Sequence, residues 1–361
     1  MLLHVEPRLY KSLDTMAPGR KVMADIGKHD RNVSVVIVTY KSAALTVNAL
    51  RSIAADRLSS TLRINCFVVD NASGDLIEIE SEIKSNNWTS WVTLIQSQKN
   101  GGFAYGNNLG IQNALFRDPQ SYIYLLNPDT EIRTGAAEFL VDFLESNPSV
   151  GIAGGSFEDE DGSPWPICFR FPSIFSEIIA GLSIGLISRL LANWEVPRVM
   201  EAANQPVDWI CGASMMIRPE VFKAVGGLDE HYFLYFEETD LCRRAKAAGF
   251  STFYVPKSRV MHIRGQSTKV TELTNIPRRL PSYWFESRRR YFAVTFGVRR
   301  AIAIDLVAVV AHSIGNIKRF LLGRMSTAVP HFVRDLISHS VIWPRNRNVP
   351  LHVATTAHQM S

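Results

Sequence analysis

Between Val33 and Leu126 short apolar runs alternate with helical patterns, and this alternation constrains the fold more than any other feature. The first run, Val33–Thr39, reads VSVVIVT: β-branched, too short for a helix, and without the polar alternation of a strand that has one wet face. Such a run predicts a strand buried on both faces of a parallel sheet. A helical pattern at Ala43–Ala55 follows, then a strand at Arg63–Val69, a helix at Leu76–Ser85 and a strand at Val92–Gln96. A third helix starting in the loop 100–110 and reaching about Phe116 leads to a fourth strand, Tyr122–Leu126. Strands joined by helices imply right-handed crossovers and a doubly wound α/β sheet. Ligands of such sheets bind outside the carboxyl ends of the strands. The polar clusters fall there: Thr39 and Tyr40, Asp70 and Asn71, Asn100 to Asn107, and Asn127 to Asp129.

The rest of the chain is read more coarsely. Residues 1–31 carry no sustained period and are expected to be a poorly structured leader. A helix is predicted over Gly135–Asn147, a strand at Gly151–Gly155, and a hairpin turn at Asp159–Gly162. From Asp208 to Thr268 an aromatic run leads into Glu237, Glu238 and Asp240 at the mouth of a short helix closing at Gly249. A strand follows that ends at His262. Acids at a helix mouth beside a strand-end histidine mark a site rather than a core.

Composition excludes little, since 46% hydrophobic and 20% charged residues over 361 positions are ordinary for a globular protein. The net charge of +5 is modest, but seven arginines between Arg278 and Arg300 cluster among Tyr283, Trp284, Phe285, Tyr291, Phe292 and Phe296. That basic-aromatic stretch suits an anionic membrane surface or a lipid phosphate; a solvated helix face is the bland alternative. Nucleic acid is not expected, because no recognised binding motif accompanies the stretch. Cys66, Cys168, Cys211 and Cys242 form no CxxC pair, which fits a reducing compartment. No apolar stretch follows the basic residues of the N-terminus, so a secretory signal is not expected. The apolar segments Ile174–Trp194 and Ala301–Gly315 are interrupted by charges and read as buried or interfacial helices, short of a membrane span.

The strings VSVVIVTYKS, VVDNASGD, NGGFAYGNNLG, YLLNPDTEI, DWICGASMMIRPEVFKAVGGLDEHYFLYFEETDLCRRAKAAGF and VMHIRGQST occur in one order between about residues 33 and 268. In that order they resemble the family 2 glycosyltransferases of the GT-A fold, most closely bacterial rhamnosyltransferase-like members. The resemblance implies a GT-A domain over 32–270, followed by a helical, membrane-associating region over 271–361.

It also assigns roles. Asp70 would accept a uracil or thymine N–H beside Thr39, Tyr40 and Asn71; an Asx turn opening the 71–74 loop is the alternative. Gly102, Asn107 and Asn108 would line the donor pocket, where glycines let backbone approach a ligand. Asn127-Pro-Asp129 stands where the family has DxD, so Asp129 and His262 would hold Mg²⁺ or Mn²⁺, with Asn127 offering a neutral oxygen. Arg170 and Arg264 would face the diphosphate, and Trp209 a sugar ring or the core. Relatives read Glu-Asp-Val-Asp-Leu where this chain has Glu237-Glu238-Thr-Asp240-Leu. Glu238 therefore ranks first as general base, before Asp240 and Glu237. Asp240 has an equal claim as a first-turn acid favoured by the helix dipole.

The expected activity is inverting transfer of L-rhamnose from dTDP-rhamnose to a polyprenyl-diphosphate-linked glycan, at the cytoplasmic face of the plasma membrane, in cell-surface polysaccharide synthesis. The alternatives are a UDP-hexose or UDP-galactofuranose donor, or a nucleotide-sugar-binding protein without catalysis. Oligomeric state is left open.

Overall fold

The four apolar runs form β1 (Asn32–Thr39), β2 (Arg63–Asp70), β3 (Val92–Gln96) and β4 (Tyr122–Leu126) in a computed structural model that describes residues 31–159, 162, 164–165, 167–262, 278–324, 328–350 and 352–353. Between them lie α1 (Ala43–Ser59), α2 (Leu76–Ser85) and α3 (Gly102–Arg117). These strands are parallel in the order β3-β2-β1-β4. The chain runs outward from β1 and returns on its other side, so the order reverses between β1 and β4. The crevice of a doubly wound sheet opens at that point. Val33, Val35, Val36 and Ile37 are fully buried, as an uninterrupted apolar run requires.

The second half turns the sheet mixed. In chain order it comprises β5 (Thr130–Ile132), α4 (Ala136–Ser146), β6 (Val150–Glu158), β7 (Pro164–Trp165), β8 (Cys168–Phe169), α5 (Ile174–Leu182) and α6 (Gly185–Leu190). Then come β9 (Gln205–Val207), β10 (Trp209–Ile210), β11 (Ser214–Ile217), α7 (Pro219–Val225), α8 (Glu237–Ala247) and β12 (Ser251–His262). β11 lies antiparallel between β4 and β6, while β12 runs parallel to β6 and antiparallel to β5. This brings His262, at the end of β12, opposite Thr130, next to Asp129. The predicted turn at 159–162 joins antiparallel β6 and β7, with the Gly162 amide donating to the Asp159 carbonyl at 2.9 Å.

The segment predicted as one apolar helix over Ile174–Trp194 is broken. Ser183 adopts φ 49° and separates α5 from α6. Ser173 caps α5 through reciprocal bonds with Ser176. The second apolar segment is longer than predicted: it lies within a helix of 24 residues, long and apolar enough to cross a membrane by length and composition.

The C-terminal helices are α9 (Ser282–Phe296), α10 (Val298–Leu321) and α11 (Phe332–His339). Here the arginine cluster departs from the expected surface patch. Arg288 is 2% exposed and lies between Asp305 (2.6 Å) on α10 and Glu177 (2.8 Å) on α5. Arg290 is also buried; its Nε lies 2.8 Å from Asp229 Oδ2 and its guanidinium donates to the Pro350 and His352 carbonyls. A buried charge needs such partners, and removing one typically costs several kcal/mol (about 3–5). Arg288 therefore fastens α9 to α5 and α10, and Arg290 fastens α9 to the Asp229 loop and the segment at 350–352, rather than facing a lipid surface.

Candidate active site

Thr39 and Asp70, paired at the ends of β1 and β2, are both buried at the floor of the crevice. Asp70 Oδ1 accepts the Ser73 amide (3.0 Å) and hydroxyl (2.5 Å), the Asx turn that was the alternative reading. Its Oδ1 thus holds the 71–74 loop. Asp75 stands at the N-cap of α2 but makes no side-chain cap there. Its carboxylate instead accepts the Ser42 amide (2.6 Å) and the Thr39 hydroxyl (3.2 Å), tying two strand-end loops together. Asn71 reaches the third loop, donating to Asn100 Oδ1 (3.0 Å) and the Gly102 carbonyl (3.1 Å). A cleft of about 350 Å³ opens above these braces, walled by Val38, Tyr40, Ser42, Asn71, Asn100, Gly102, Phe103, Asn127, Pro128, Phe233, Leu234 and Tyr283.

Gly102 sits at φ 86°, and a Cβ there would lie 2.0 Å from the Phe233 carbonyl oxygen. That oxygen accepts the Phe103 amide at 2.8 Å. The close approach that demands this glycine is thus to the aromatic run before α8. Gly106 and Gly110 serve the packing of α3: a Cβ on either would lie 2.6 Å or 2.4 Å from Val38 or Val36 of β1.

Two aromatic residues in succession, Tyr235 (φ 71°) and Phe236 (φ 69°), take left-handed backbone immediately before α8. Each costs of order 1–3 kcal/mol and persists only where the surroundings enforce it. Here α9 does so. Tyr283 lies 5.4 Å from Phe233 and 6.0 Å from Tyr235 between ring centroids, and Trp284 and Tyr291 flank Phe236. Ser287 donates to the Leu234 carbonyl at 2.9 Å. The reversal delivers Glu237 and Glu238 as the first residues of α8.

The three acids of α8 have different surroundings. Glu238 is partly buried against the 211–213 loop: its Cβ lies 3.7 Å from where a Cβ on Gly212 would stand, and the Gly212 backbone eases the charged form of its carboxylate. Burial pushes Glu238 up to about 7. Glu237 is buried and held well above the usual carboxylate range by burial and by the charge of Glu238. Asp240 is different. Its two oxygens are taken by Arg243 Nη2 and Arg244 Nε, each at 2.7 Å, and Arg244 also donates to the Val225 and Gly227 carbonyls. It anchors the loop before the aromatic run, as its structural reading allowed, and is not available as a base.

Cys211 lies within electrostatic reach of the strand-end acid and the helix acids. Its thiol is pushed up to about 12 by burial and then by the negative charges of Glu238, Asp129 and Glu237. Ala213, two residues on, accepts the Asn127 amide at 3.0 Å. The 211–213 loop thus has Glu238 on one side and Asn127–Asp129 on the other.

Asp129 is 3% exposed, and His262 Nε2 lies 3.3 Å from its Oδ1. The His262 ring stacks on Phe157 at 5.4 Å. Two ligands bound at right angles at about 2.1 Å would stand about 3 Å apart, so this pair fits one small divalent cation. No group of three or more His, Cys, Asp or Glu is placed for a metal among the described residues. The remaining positions would fall to water, Asn127 and phosphate, as a hard cation accepts.

Other expected donor contacts lie elsewhere. The Asn107 amide donates to the Phe103 carbonyl within α3. Asn108 is committed to the 228–230 loop: it donates to the Leu228 carbonyl and Glu230 and accepts the Leu228 amide. Neither asparagine lines the cleft. Trp209 stacks on Phe169 at 4.2 Å and donates to the Arg170 carbonyl, while Arg170 Nη1 donates to the Glu195 carbonyl. Arg264 lies outside the described residues. Tyr283 was missed by the sequence reading, because nothing local distinguishes one aromatic of α9 from its neighbours.

A family model described as "Glycosyltransferase like family 2" matches residues 29–276. The N-acetylglucosaminyl-diphospho-decaprenol L-rhamnosyltransferase of Mycobacterium tuberculosis (strain ATCC 25618 / H37Rv) is 29% identical over 245 residues, covering 65% of this chain and 76% of that protein. The dTDP-rhamnosyl transferase RfbF of Shigella flexneri is 26% identical over 268 residues, covering 73% and 77%. Among solved structures, the mannosyltransferase PcManGT from Pyrobaculum calidifontis in complex with GDP-Man and Mn²⁺ matches with a TM-score of 0.52 at 14% identity, over 87% of this chain and 88% of that one. At that identity the likeness is one of fold. With the family model spanning the strand-end loops of the crevice and the α8 acids, the chain belongs to the family 2 glycosyltransferases, an enzyme of GT-A fold similar to relatives named as rhamnosyltransferases.

Proposed function

We propose that the enzyme transfers L-rhamnose from dTDP-rhamnose, with inversion, to a sugar carried on a polyprenyl diphosphate at the cytoplasmic surface of the membrane, for a cell-surface polysaccharide. The observation that carries this reading is the 211–213 loop, with Glu238 on one side and the Asn127–Asp129 segment on the other. The names of the relatives support the choice of donor and of a lipid-linked acceptor.

Thr39, Tyr40 and the second oxygen of Asp70 would receive the nucleoside, in the cleft braced by Asn71 and Asp75. Asp129 and His262, with Asn127, would hold a divalent cation, and the imidazole favours Mn²⁺ over Mg²⁺. Such a cation neutralises charge on a departing diphosphate. Glu238 takes the proton of the acceptor hydroxyl. The hydroxyl oxygen then bonds to the anomeric carbon as the bond from that carbon to the diphosphate oxygen breaks, releasing dTDP. Burial and the charge of Glu238 favour the protonated form of Glu237, which limits a second negative charge beside the attacking oxygen.

Thermal stabilisation by nucleotide sugars with Mn²⁺ or Mg²⁺ tests the donor, since a ligand at a hundred times its Kd adds about 2.7 kcal/mol. dTDP-rhamnose should raise the Tm more than UDP-glucose, UDP-galactofuranose or GDP-mannose. The reverse ranking would sink the assignment, and binding without transfer to any polyprenyl-diphosphate sugar would leave a binding protein.

A further inference from the structure

α10 has two faces of opposite character. Ala301, Ile304, Asp305, Ala308, Ala311 and Gly315 are buried. Leu306, Val310, Ile314, Ile317 and Leu321 recur three and four residues apart on the other side, and are between 45% and 75% exposed. The helix cannot leave the body easily. Asp305 is tied to Arg288 and also accepts the Ser340 hydroxyl and the Val341 amide. Gly315 packs so closely on α5 that a Cβ would lie 2.0 Å from the Gly181 carbonyl oxygen. Between α5 and α10 runs an apolar groove of about 380 Å³, to which Ile178 and Leu182 contribute.

Apart from the buried Asp305, the charges on α10 sit towards its ends and are basic. Arg299 and Arg300 lie at its start and Lys318 and Arg319 near its finish; its single acid is the buried Asp305. None of these four has a carboxylate partner among the described residues. Lys318 and Arg319 bond Ser183, between α5 and α6, and α6 buries no residue while exposing Leu186 and Leu190.

We propose that this face of α10, with the α5 groove, is the surface by which the enzyme lies on an anionic lipid bilayer. An apolar stripe from Leu306 to Leu321 (~24 Å), with Arg299 and Arg300 before it and Lys318 and Arg319 near its far end, matches acyl chains below and anionic headgroups at the rim. A second copy of the chain fits less well, because antiparallel pairing of two α10 faces sets Arg299 and Arg300 against Lys318 and Arg319. α10 lies along the surface rather than through it, held there by Asp305. The reading of the acceptor as lipid-linked is deepened by this surface, but the surface is tested without donor or acceptor.

The full chain should float with vesicles of phosphatidylethanolamine and phosphatidylglycerol, less with phosphatidylcholine alone, and be released by alkaline carbonate. The variant Val310→Glu/Ile317→Glu should bind about tenfold less or weaker still, with the Tm and nucleotide-sugar stabilisation of the wild type. Lys318→Gln/Arg319→Gln should lose the part of binding that salt removes. Phe116→Glu, at an exposed apolar residue of α3, should bind as the wild type does. The proposal is overturned if the wild type does not float, if the glutamate variant floats equally, if carbonate leaves the protein in the membrane, or if that variant splits a dimer instead. Failure of the donor assignment would show separately, as missing stabilisation by dTDP-rhamnose in a protein that still floats.

Discussion

Replacing Glu238 by glutamine and, separately, Glu237 by glutamine separates the two acids that head α8. Burial holds Glu238 at about 7, while burial and then the charge of Glu238 hold Glu237 well above the usual carboxylate range. At pH 7 Glu238 is therefore about half ionised, at pH 6 about one-tenth, and kcat/KM should fall about tenfold for each further pH unit. Glu238→Gln keeps the shape but cannot accept a proton, and should lower kcat by roughly 10²- to 10⁴-fold, with the acid limb lost. Glu237→Gln mimics the protonated form that burial favours and should stay within a few-fold of wild type, with its limb still near 7. Stability provides the control. The folded Glu238 keeps its proton up to about 7 whereas the unfolded one releases it near 4.5, so the native state is favoured by acid across that window and loses this contribution as pH rises through 7. Glu238→Gln should then melt no lower than wild type above pH 7, and its loss of activity is not unfolding. Initial rates across pH with a polyprenyl-diphosphate acceptor, and melting curves in the same buffers, measure both. Equal losses in the two variants, or an acid limb that survives in Glu238→Gln, would refute the assignment of the base.

Two further outcomes follow from the loops around the site. Gly102→Ala should destabilise the protein by a few kcal/mol (about 2 or more), because φ 86° is strained for alanine and its Cβ would meet the Phe233 carbonyl at 2.0 Å; an unchanged Tm would show that the aromatic run yields easily. Asp240→Asn leaves two arginines short of their carboxylate and should cost about 3 kcal/mol, read by urea unfolding, while the acid limb near 7 persists; a shifted limb would give Asp240 a share in the proton transfer.

Much of the site is legible in the chain because strand-end loops are local. Apolar β-branched runs must be buried, so each polar residue just beyond one falls on the same rim of the sheet. Thr39, Asp70, Asn71, Asn127 and Asp129 were placed on that logic, and His262 reached Asp129 because β12 pairs with β5. Misplacement begins where a polar side chain must choose among distant partners. Asn108 resembles a pocket residue in sequence, yet its amide is committed to a loop 120 residues away. Asp240 and Glu238 stand two residues apart, yet only Asp240 faces arginines. The arginines of α9 looked like a lipid-facing patch, because nothing local reveals that Asp229, Asp305 and Glu177 wait for them.

The sequence by itself therefore determined a parallel sheet with a polar rim, the acids before α8 and the family to which they point, since these follow from burial of continuous apolar runs and from short-range motifs. Only the tertiary structure decided that, of the three α8 acids, Asp240 is the one paired with arginines among the described residues, that Tyr283 of α9 walls the cleft, and which face of α10 is left apolar and exposed. Those outcomes depend on which charges and rings meet across the folded chain, and the free energy of a buried charge is set by its partners rather than by its neighbours in sequence.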